Sequence, residues 1–374
     1  MKIVTIVGAR PQFIKAAVVS RAFSKHPNIQ EIIVHTGQHF DDNMSEIFFN
    51  EMEIPKPKYN LAINGLSHGA MTGQMLEKIE NILLKEKPDW VIVYGDTNST
   101  LAGALSAKKL HIKVAHVEAG LRSYNMEMPE EVNRIITDRI SDILFCPTQT
   151  AVNNLKKEGY SNIKCDIVNV GDVMQDAANF YKDKAKKPRQ DLPDNYILCT
   201  IHRAENTDNP KYLKNIIAAL EKISLEKCPV VIPLHPRTKI KLNEMNYVFS
   251  NSPIVFISPV GYLEMVWLLK NCKIVMTDSG GVQKEAYFSN KYCITLREET
   301  EWVELVENNY NVLVGHDLNK IIETYDIVSK YNIFDCRDKL YGNGDTGDKI
   351  LSILINKHNL SKDNDIKKSE CING

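Results

Sequence analysis

The chain has 374 residues, which exceeds the length over which one hydrophobic core usually grows, so we predict two domains. Hydrophobic residues make up 43% and charged residues 25% of the sequence, proportions typical of globular proteins. The 46 basic and 47 acidic residues leave a net charge of −1. This balance argues against a nucleic-acid-binding or membrane-surface protein, because either would need a basic excess.

The eight cysteines are scattered singly along the sequence, and none forms a Cys-x-x-Cys pair. We therefore expect reduced thiols in a cytoplasmic protein, in preference to a zinc site or a disulfide framework. The first apolar run, Lys2–Val7, is too short for a signal peptide. The sequence also lacks an apolar run near the ~20 residues of a membrane span.

Short apolar strands alternate with amphipathic helices over most of the chain. The predicted strands are Ile3–Val7, Glu31–His35, Trp90–Tyr94, Val114–Val117, Ile143–Cys146, Tyr196–Ile201, Val230–Leu234, Ile254–Ile257, Ile274–Thr277 and Cys293–Leu296. Helices are predicted between them, for example over Thr72–Lys87, Leu101–Lys109 and Tyr212–Leu225. Near-continuous Val and Ile runs are typical of parallel strands buried on both faces. The alternation therefore predicts the α/β class, with doubly wound sheets.

A polar, proline-containing stretch, Lys182–Asp194, divides this alternation into two comparable halves. We predict an N-terminal Rossmann-like domain over 1–170, a second Rossmann-like domain over 171–355, and a polar, frayed tail over 356–374. Because ligands of doubly wound sheets bind beyond the carboxyl ends of the strands, a cleft between two facing domains is the expected site.

Charged side chains follow three predicted strands of the first half. Arg10 and Lys15 lie near the helix start after the first strand, Asp96 follows the third, and Glu118 follows the fourth. Another acid, Glu130, opens a later helix. Each could serve only as a surface charge or helix cap. Three carboxylates at one sheet edge favour acid–base chemistry, because like charges held together make a carboxyl group usable as an acid or base.

Two histidines of the second half, His202 and His235, each follow a predicted strand and lie close to an arginine. This placement favours contact with a phosphate or a sugar, although a lone histidine is more often a packed residue. Farther along, a strand ends in Asp278 and the turn Ser279-Gly280-Gly281, which opens a helix.

The turn at 279–281 has two interpretations. Free N–H groups and the helix dipole favour an anion there, and glycine allows a phosphate to approach the backbone. The alternative is an ordinary helix cap formed by Asp278 or Ser279. Glu285 lies one helical turn farther on, at a spacing that suits the two hydroxyls of a ribose.

Several common motifs are missing: a P-loop, a Gly-x-Gly-x-x-Gly fingerprint, zinc-type His/Cys spacing and a Gly-x-Ser-x-Gly elbow. Dehydrogenase, ATPase and serine-hydrolase functions are therefore disfavoured. The residues themselves predict a two-domain enzyme that holds a nucleotide diphosphate in its second half and performs carboxylate chemistry from its first half.

As a set, these motifs resemble the non-hydrolysing UDP-N-acetylglucosamine 2-epimerase family, over about residues 1–350. The matching runs are Gly-Ala-Arg-Pro at 8–11, His-Thr-Gly-Gln-His at 35–39, Gly-Asp-Thr at 95–97, His-Val-Glu-Ala-Gly-Leu-Arg at 116–122, Pro-Glu-Glu-Val-Asn-Arg at 129–134, His-Arg-Ala-Glu-Asn at 202–206, Leu-His-Pro at 234–236 and Thr-Asp-Ser-Gly-Gly-Val-Gln-Lys-Glu at 277–285. The resemblance implies the twin-Rossmann fold of the GT-B glycosyltransferases.

The resemblance also implies a reaction: reversible conversion of UDP-GlcNAc to UDP-ManNAc, by elimination and re-addition of UDP through a 2-acetamidoglucal, for surface polysaccharide precursors. It implies no metal and no nicotinamide cofactor, and it implies a homodimer. Its implied catalytic residues are Asp96, Glu118, Glu130 and His202. Its implied substrate-binding residues are Arg10, Lys15, His235, Ser279, Gly280, Gly281 and Glu285, with Glu285 on the ribose.

Several positions depart from the common pattern of that family, among them Val260 and Met265, at places that the resemblance implies lie around the uracil. Gln12 stands where most members have Glu, and Trp302 replaces an arginine expected near the nucleotide sugar. These changes resemble the branch that acts on UDP-2,3-diacetamido-2,3-dideoxy-glucuronate, which is the alternative substrate. A GT-B glycosyltransferase, a hydrolysing relative that releases free N-acetylmannosamine and a non-catalytic nucleotide-sugar sensor are the competing functions.

Overall fold

A computed structural model describes residues 1–38, 49–50, 53, 55–331 and 339–372, apart from the side chains of Arg10 and of residues 361–372. The chain divides into two compact units. The first contains Met1–Ala177 and Leu340–Gly374, and the second contains Ala178–Lys339. Within the described ranges, no helix is long and apolar enough to cross a membrane.

The first unit is built on one parallel sheet. Its strands are β1 (Lys2–Val7), β2 (Gln30–His35), β3 (Tyr59–Asn60), β4 (Trp90–Tyr94), β5 (Lys113–Val117), β6 (Ile143–Cys146) and β7 (Asp166–Asn169), and its first helices are α1 (Arg10–Ser24), α2 (His68–Glu86), α3 (Asn98–Lys109), α4 (Pro129–Ile140) and α5 (Gln149–Lys157). The strand order is β3-β2-β1-β4-β5-β6-β7. The order reverses between β1 and β4, and all five residues of β4 are buried.

The second unit begins within the next helix, α6 (Val173–Tyr181). Its strands are β8 (Ile197–Thr200), β9 (Val230–Pro233), β10 (Val255–Ile257), β11 (Ile274–Thr277), β12 (Cys293–Thr295) and β13 (Asn311–Leu313), and its helices are α7 (Ala204–Thr207), α8 (Pro210–Glu226), α9 (Pro236–Glu244), α10 (Tyr262–Asn271), α11 (Gly280–Phe288), α12 (Val303–Glu307) and α13 (Leu318–Val328). The parallel strands lie in the order β10-β9-β8-β11-β12-β13, which reverses between β8 and β11.

All ten predicted strands are present, and the predicted α/β class with doubly wound sheets is confirmed. Three further strands, β3, β7 and β13, were not predicted from the sequence. They have two to four residues, and each lies at an edge of its sheet. An edge strand is not buried on both sides, so the continuous apolar run that marks a central parallel strand is missing.

The last helix, α14 (Thr346–Ile372), lies in the first unit and packs against α1. The sequence-based division at 170/171 and 355 placed its first residues in the second domain and the rest in a frayed tail. The described helix differs because Ile350, Leu351 and Leu354 recur at helical spacing and are buried. Gly347 allows the approach, since a Cβ there would lie 3.1 Å from the Val18 carbonyl oxygen.

Candidate active site

Asp96 follows β4, one of the two strands between which the strand order reverses. Glu118 follows the neighbouring strand β5, and Glu130 lies at the start of α4. Ligands of doubly wound sheets bind at the point where the strand order reverses. A cavity of about 170 Å³ lies there, and its lining includes Lys15, Gly95, Asp96 and Glu130. Its other lining residues are Ala9, Pro11, Gln12, Gln38, His68, Tyr94, Thr97, Asn98, Pro129 and Asn133. The structure thus brings Lys15, Asp96 and Glu130 together.

Lys15 reaches from α1 to form an ion pair with Glu118, which directly follows β5. Both side chains are at least nine-tenths buried. Gly95 packs beside the pair: a Cβ placed on it would lie 3.1 Å from Lys15 Nζ and 3.3 Å from Glu118 Oε2. The backbone φ of Gly95 is +62°, so glycine is favoured there on both counts.

Asp96 forms an ion pair with Arg134 of α4. The same guanidinium holds Glu131 Oε2 through Nη1 at 2.5 Å. Asn133 Nδ2 donates to the Asp96 carbonyl oxygen at 3.0 Å. The first turn and a half of α4 therefore fixes both the backbone and the side chain of Asp96.

The adjacent acids of α4 have different environments. Glu131 is fully buried, and it accepts hydrogen bonds from the Ser123 and Tyr124 backbone N–H groups at 3.0 and 2.9 Å. Glu130 is exposed and lines the cavity. This difference supports Glu130, and not Glu131, as the residue available to a substrate.

The sequence led us to expect a cluster of like-charged carboxylates. The structure instead pairs Glu118 with Lys15 and Asp96 with Arg134. Each of these two acids therefore has a cation as an ion-pair partner. A cation held in this way can stabilise negative charge that develops on a ligand.

Gln12 is buried and fully hydrogen-bonded. Its Oε1 accepts from the Gly8 and Ala9 N–H groups at 2.8 and 3.0 Å, and its Nε2 donates to the Tyr94 carbonyl oxygen at 2.7 Å and to Thr100 Oγ1 at 2.9 Å. The amide supplies two acceptors and two donors, so it joins the turn after β1 to the end of β4.

In the second unit, the turn after β11 opens α11 at Gly280. The Ser279 side chain makes no capping hydrogen bond to α11 within the described chain. Asp278 is fully buried and instead accepts from the His202 and Arg203 backbone N–H groups at 3.0 Å each, and from Asn206 Nδ2 at 3.3 Å. Ser279 therefore occupies the N-cap position of α11 without a side-chain capping hydrogen bond, and the Asp278 carboxylate binds the turn after β8.

The two glycines of this turn have different surroundings. A Cβ on Gly280 would lie 2.1 Å from Glu301 Oε1, whereas the nearest atom to a Cβ on Gly281 is Ser279 Oγ at 4.0 Å. Burial would raise the pKa of Glu301, but Arg297 and Arg203 outweigh it and hold that pKa below its usual range. The α11 start thus has open space on the Gly281 side, and a carboxylate with two arginines behind Gly280.

His202 and His235 lie side by side, with ring centroids 5.4 Å apart. His202 Nδ1 is 3.6 Å from Asp278 Oδ1. His235 is exposed, is the N-cap residue before α9 and accepts from the Arg237 N–H at 3.2 Å through Nδ1. The structure therefore brings both histidines together beside β8, and His235 also has a capping role that the sequence did not reveal.

Glu285 lies in α11 and lines a second cavity of about 80 Å³ with Tyr262 and Lys270 of α10. The proposed contact of Glu285 with a ribose stays a prediction. Two other residues of the sequence argument, the Arg10 side chain and His39, lie outside the described part of the chain.

Comparison with known proteins decides the family. The family model described as UDP-N-acetylglucosamine 2-epimerase matches residues 21–355. The chain belongs to this family. It is 56% identical over 355 residues to the UDP-2,3-diacetamido-2,3-dideoxy-D-glucuronate 2-epimerase of Pseudomonas aeruginosa, covering 95% of this chain and 99% of that protein. The family's activity is epimerisation, so the chain is an isomerase.

Solved structures agree with this assignment. The Methanocaldococcus jannaschii UDP-GlcNAc 2-epimerase in complex with UDP-GlcNAc and UDP superposes with a TM-score of 0.87 at 46% identity, covering 95% of this chain and 99% of that one. A UGT transferase from Siraitia grosvenorii in complex with UDP has a TM-score of 0.55 at 10% identity, over 88% of this chain and 91% of that one. The second likeness shows the shared GT-B-like fold alone.

Several residues around the acids of this epimerase were not assigned a role from the sequence. Arg134 and Asn133 belong to a motif that we quoted for the resemblance, but only the structure shows them holding Asp96. Arg134, the cation paired with Asp96, lies three residues after Glu131 and four residues after Glu130 in α4. This spacing usually indicates a surface ion pair. A sequence pattern alone does not distinguish a surface ion pair within α4 from an arginine that holds Asp96.

Trp302, which we expected near the nucleotide sugar, is 4% exposed. The ammonium of Lys284 lies 3.8 Å from the centre of its ring, an arrangement that stabilises the buried cation. Trp302 Nε1 would be 3.5 Å from a Cβ on Gly280. In this family member, Trp302 therefore packs behind the start of α11.

Proposed function

We propose that the protein inverts C2 of a UDP-linked 2-acetamido sugar by eliminating UDP and adding it back. The observation that carries this proposal is the cavity of the first unit, which Lys15, Asp96 and Glu130 line. Glu118 forms an ion pair with Lys15, and Arg134 forms one with Asp96. Removal and return of the C2 proton on opposite faces of the sugar requires two proton-transfer groups. Glu118 and Asp96 are proposed for these roles, with Glu130 as the third candidate.

In the second unit, we propose that the α11 start holds the diphosphate and that Glu285 holds the ribose. Two observations support the first role: the Ser279 side chain makes no capping hydrogen bond to α11 within the described chain, and there is open space beside Gly281. His202 and His235 are proposed to stabilise the departing UDP. The family relationship supports a UDP-sugar as the ligand, because a homologous structure contains UDP-GlcNAc and UDP.

Two sugars are candidates. The relative at 56% identity supports UDP-2,3-diacetamido-2,3-dideoxy-D-glucuronate, and we propose this as the preferred substrate. UDP-GlcNAc is the second candidate, supported by the Methanocaldococcus jannaschii relative. Surface polysaccharide precursor synthesis, a homodimeric state and a cytoplasmic location complete the proposal. Six cysteines of the described chain are free thiols, which is compatible with that location.

The test is incubation of the purified protein with each UDP-sugar in D₂O. We expect deuterium at C2 of both the recovered substrate and the epimer, and a higher kcat/KM for the diacetamido uronate. Sugars recovered without label at C2 would contradict the proton-exchange mechanism. Glu118→Gln should show no exchange while its affinity for UDP is kept, and light scattering of the same sample measures the oligomeric state.

A further inference from the structure

A buried charged cluster lies directly behind the acids of the first unit. At its centre is Asp138 of α4, which is 1% exposed. Its Oδ1 is 2.7 Å from His116 Nδ1, and its Oδ2 accepts from Arg122 Nη1 at 2.7 Å and from the Gly120 N–H at 3.1 Å. An ionised carboxylate is costly to bury unless it is paired and hydrogen-bonded in this way.

The cluster reaches both strand ends that carry the proposed acids. His116 lies in β5, and its other ring nitrogen, Nε2, is 2.7 Å from the carbonyl oxygen of Gly95, next to Asp96. The two ring nitrogens of His116 thus face two oxygen atoms, Asp138 Oδ1 and the Gly95 carbonyl oxygen. Burial would raise the pKa of Asp138, but His116 and Arg122 outweigh it and hold that pKa below its usual range.

The backbone at Glu118 explains why such a cluster is needed. Glu118 has a φ of +73°, a left-handed conformation that costs a non-glycine residue about 1–2 kcal/mol. It persists only where the surroundings fix it. The Glu118 and Ala119 N–H groups both donate to the Phe145 carbonyl oxygen at 3.1 Å, and the next N–H, that of Gly120, donates to Asp138.

We infer that Asp138 is a positioning residue for the epimerisation: through Gly120 it holds the strained turn at Glu118, and through His116 it holds Gly95 beside Asp96. It acts on the proton-transfer groups and does not contact the sugar. This inference rests on the proposed function of those acids.

The main variant is Asp138→Asn, which keeps the side-chain shape. The neutral amide removes the charge that pairs with Arg122 and can accept at only one of the two former oxygen positions, so the hold on the turn is weakened. We expect kcat per UDP-binding site to fall at least about 100-fold, the range of a lost proton-transfer group. The KM for the UDP-sugar should stay within about threefold and the Kd of UDP within about twofold, since α11 is untouched.

The matched control is Asp142→Asn, because Asp142 accepts from the Val114 N–H at 2.9 Å at the opposite end of the same strand, β5. It should lower Tm and leave kcat at the wild-type value. If Asp138→Asn does not fold, His116→Gln takes its place with an expected loss of about tenfold in kcat. A folded Asp138→Asn or His116→Gln variant with wild-type kcat would overturn the inference.

The outcomes separate this inference from the proposed function. Absence of C2 exchange in the wild-type protein would refute the proposed function. Exchange in the wild type that persists unchanged in Asp138→Asn would refute only the positioning role. A parallel loss of kcat and of UDP binding in Asp138→Asn indicates general unfolding, and His116→Gln then decides the positioning role.

Discussion

At the scale of single residues, two neighbouring glutamates in α4 illustrate what separates a structural acid from one available for chemistry. The Glu131 carboxylate accepts hydrogen bonds from two backbone N–H groups and a hydroxyl, and it forms an ion pair with Arg134. Glu130 points into the cavity beside Asp96. Identical side chains thus have different environments one residue apart, because a helix turns by about 100° per residue.

The two glutamates should respond differently to substitution. Glu130→Gln is expected to keep Tm and to lower kcat about 100-fold or more, as for loss of a proton-transfer group. Glu131→Gln is expected to lower the free energy of unfolding by about 3 kcal/mol, as for breaking a buried ion pair from one side. Urea unfolding and turnover measured on both variants check this. Equal effects of the two substitutions on kcat and on Tm would contradict the assignment.

Asp96, Glu118 and Glu130 could be proposed from the sequence because each lies just after a strand or at the start of a helix. It did not reveal the positive φ of Glu118 or the role of Asp138. Asp138 lies near the end of an amphipathic helix, where an isolated Asp is most often a solvated residue. Its burial depends on a histidine 22 residues away in sequence, and such tertiary pairings have no local pattern.

At the scale of elements, the start of α11 depends on two glycines for different reasons. Gly280 has Glu301 against it, while Gly281 has open space. The first glycine is needed for packing, and the second is available to a ligand. This distinction is invisible in the sequence, where the two residues are adjacent and identical.

Alanine at each position should separate these roles. Gly281→Ala is expected to keep or slightly raise Tm, since alanine favours a helix over glycine, and to weaken UDP binding about tenfold or more by crowding the phosphate. Gly280→Ala is expected to lower Tm because its methyl group meets Glu301. Titration calorimetry with UDP and thermal unfolding measure both. Unchanged UDP affinity in Gly281→Ala would argue against a diphosphate site there.

Central elements were predicted well because burial on both faces produces continuous Val and Ile runs. The edge strands β3, β7 and β13 lack such runs and were missed. Domain boundaries were less predictable for a related reason. The return of α14 to the first unit depends on packing against α1, more than 300 residues earlier in the chain. The composition near the end of the sequence indicated only a polar segment and did not predict this packing.

At the scale of the whole molecule, α14 closes the first unit. Leu354 is fully buried in it, whereas Leu360 on the same helix is 58% exposed. Leu354→Ala is expected to lower the free energy of unfolding by about 2–5 kcal/mol. Leu360→Ala should change it by less than about 0.5 kcal/mol. Hydrogen exchange of β1 and β2 in each variant reports on the first unit, and equal protection in both variants would contradict the packing role.

Stability against pH is a property of the whole fold, but two groups on β2 give it opposing contributions. Burial raises the pKa of Glu31 from 4.5 to about 7, although the hydrogen bond from Thr5 acts to lower it. Burial lowers the pKa of His35 to about 4 from 6.5. The folded state thus favours a neutral carboxyl and a neutral imidazole, and burial of each favours the uncharged form.

The signs follow from linkage. The contribution of Glu31 is fully present below pH 4.5 and is lost as the pH rises to about 7, whereas that of His35 is fully present above pH 6.5 and is lost as the pH falls to about 4. Each contribution amounts to about 3 kcal/mol. Between pH 4.5 and 6.5 one falls while the other rises, so their changes with pH nearly cancel.

Glu31→Gln should therefore expose the response of His35. Relative to the wild type, its free energy of unfolding is expected to rise by about 3 kcal/mol between pH 4 and 7. The opposite variant, His35→Phe, should retain only the response of Glu31 and lose relative stability over the same range. Urea unfolding at half-unit pH steps measures the two difference curves, in which groups common to all three proteins cancel. Difference curves that are flat, or that slope in the same direction, would show that these two groups do not set the pH response of the fold.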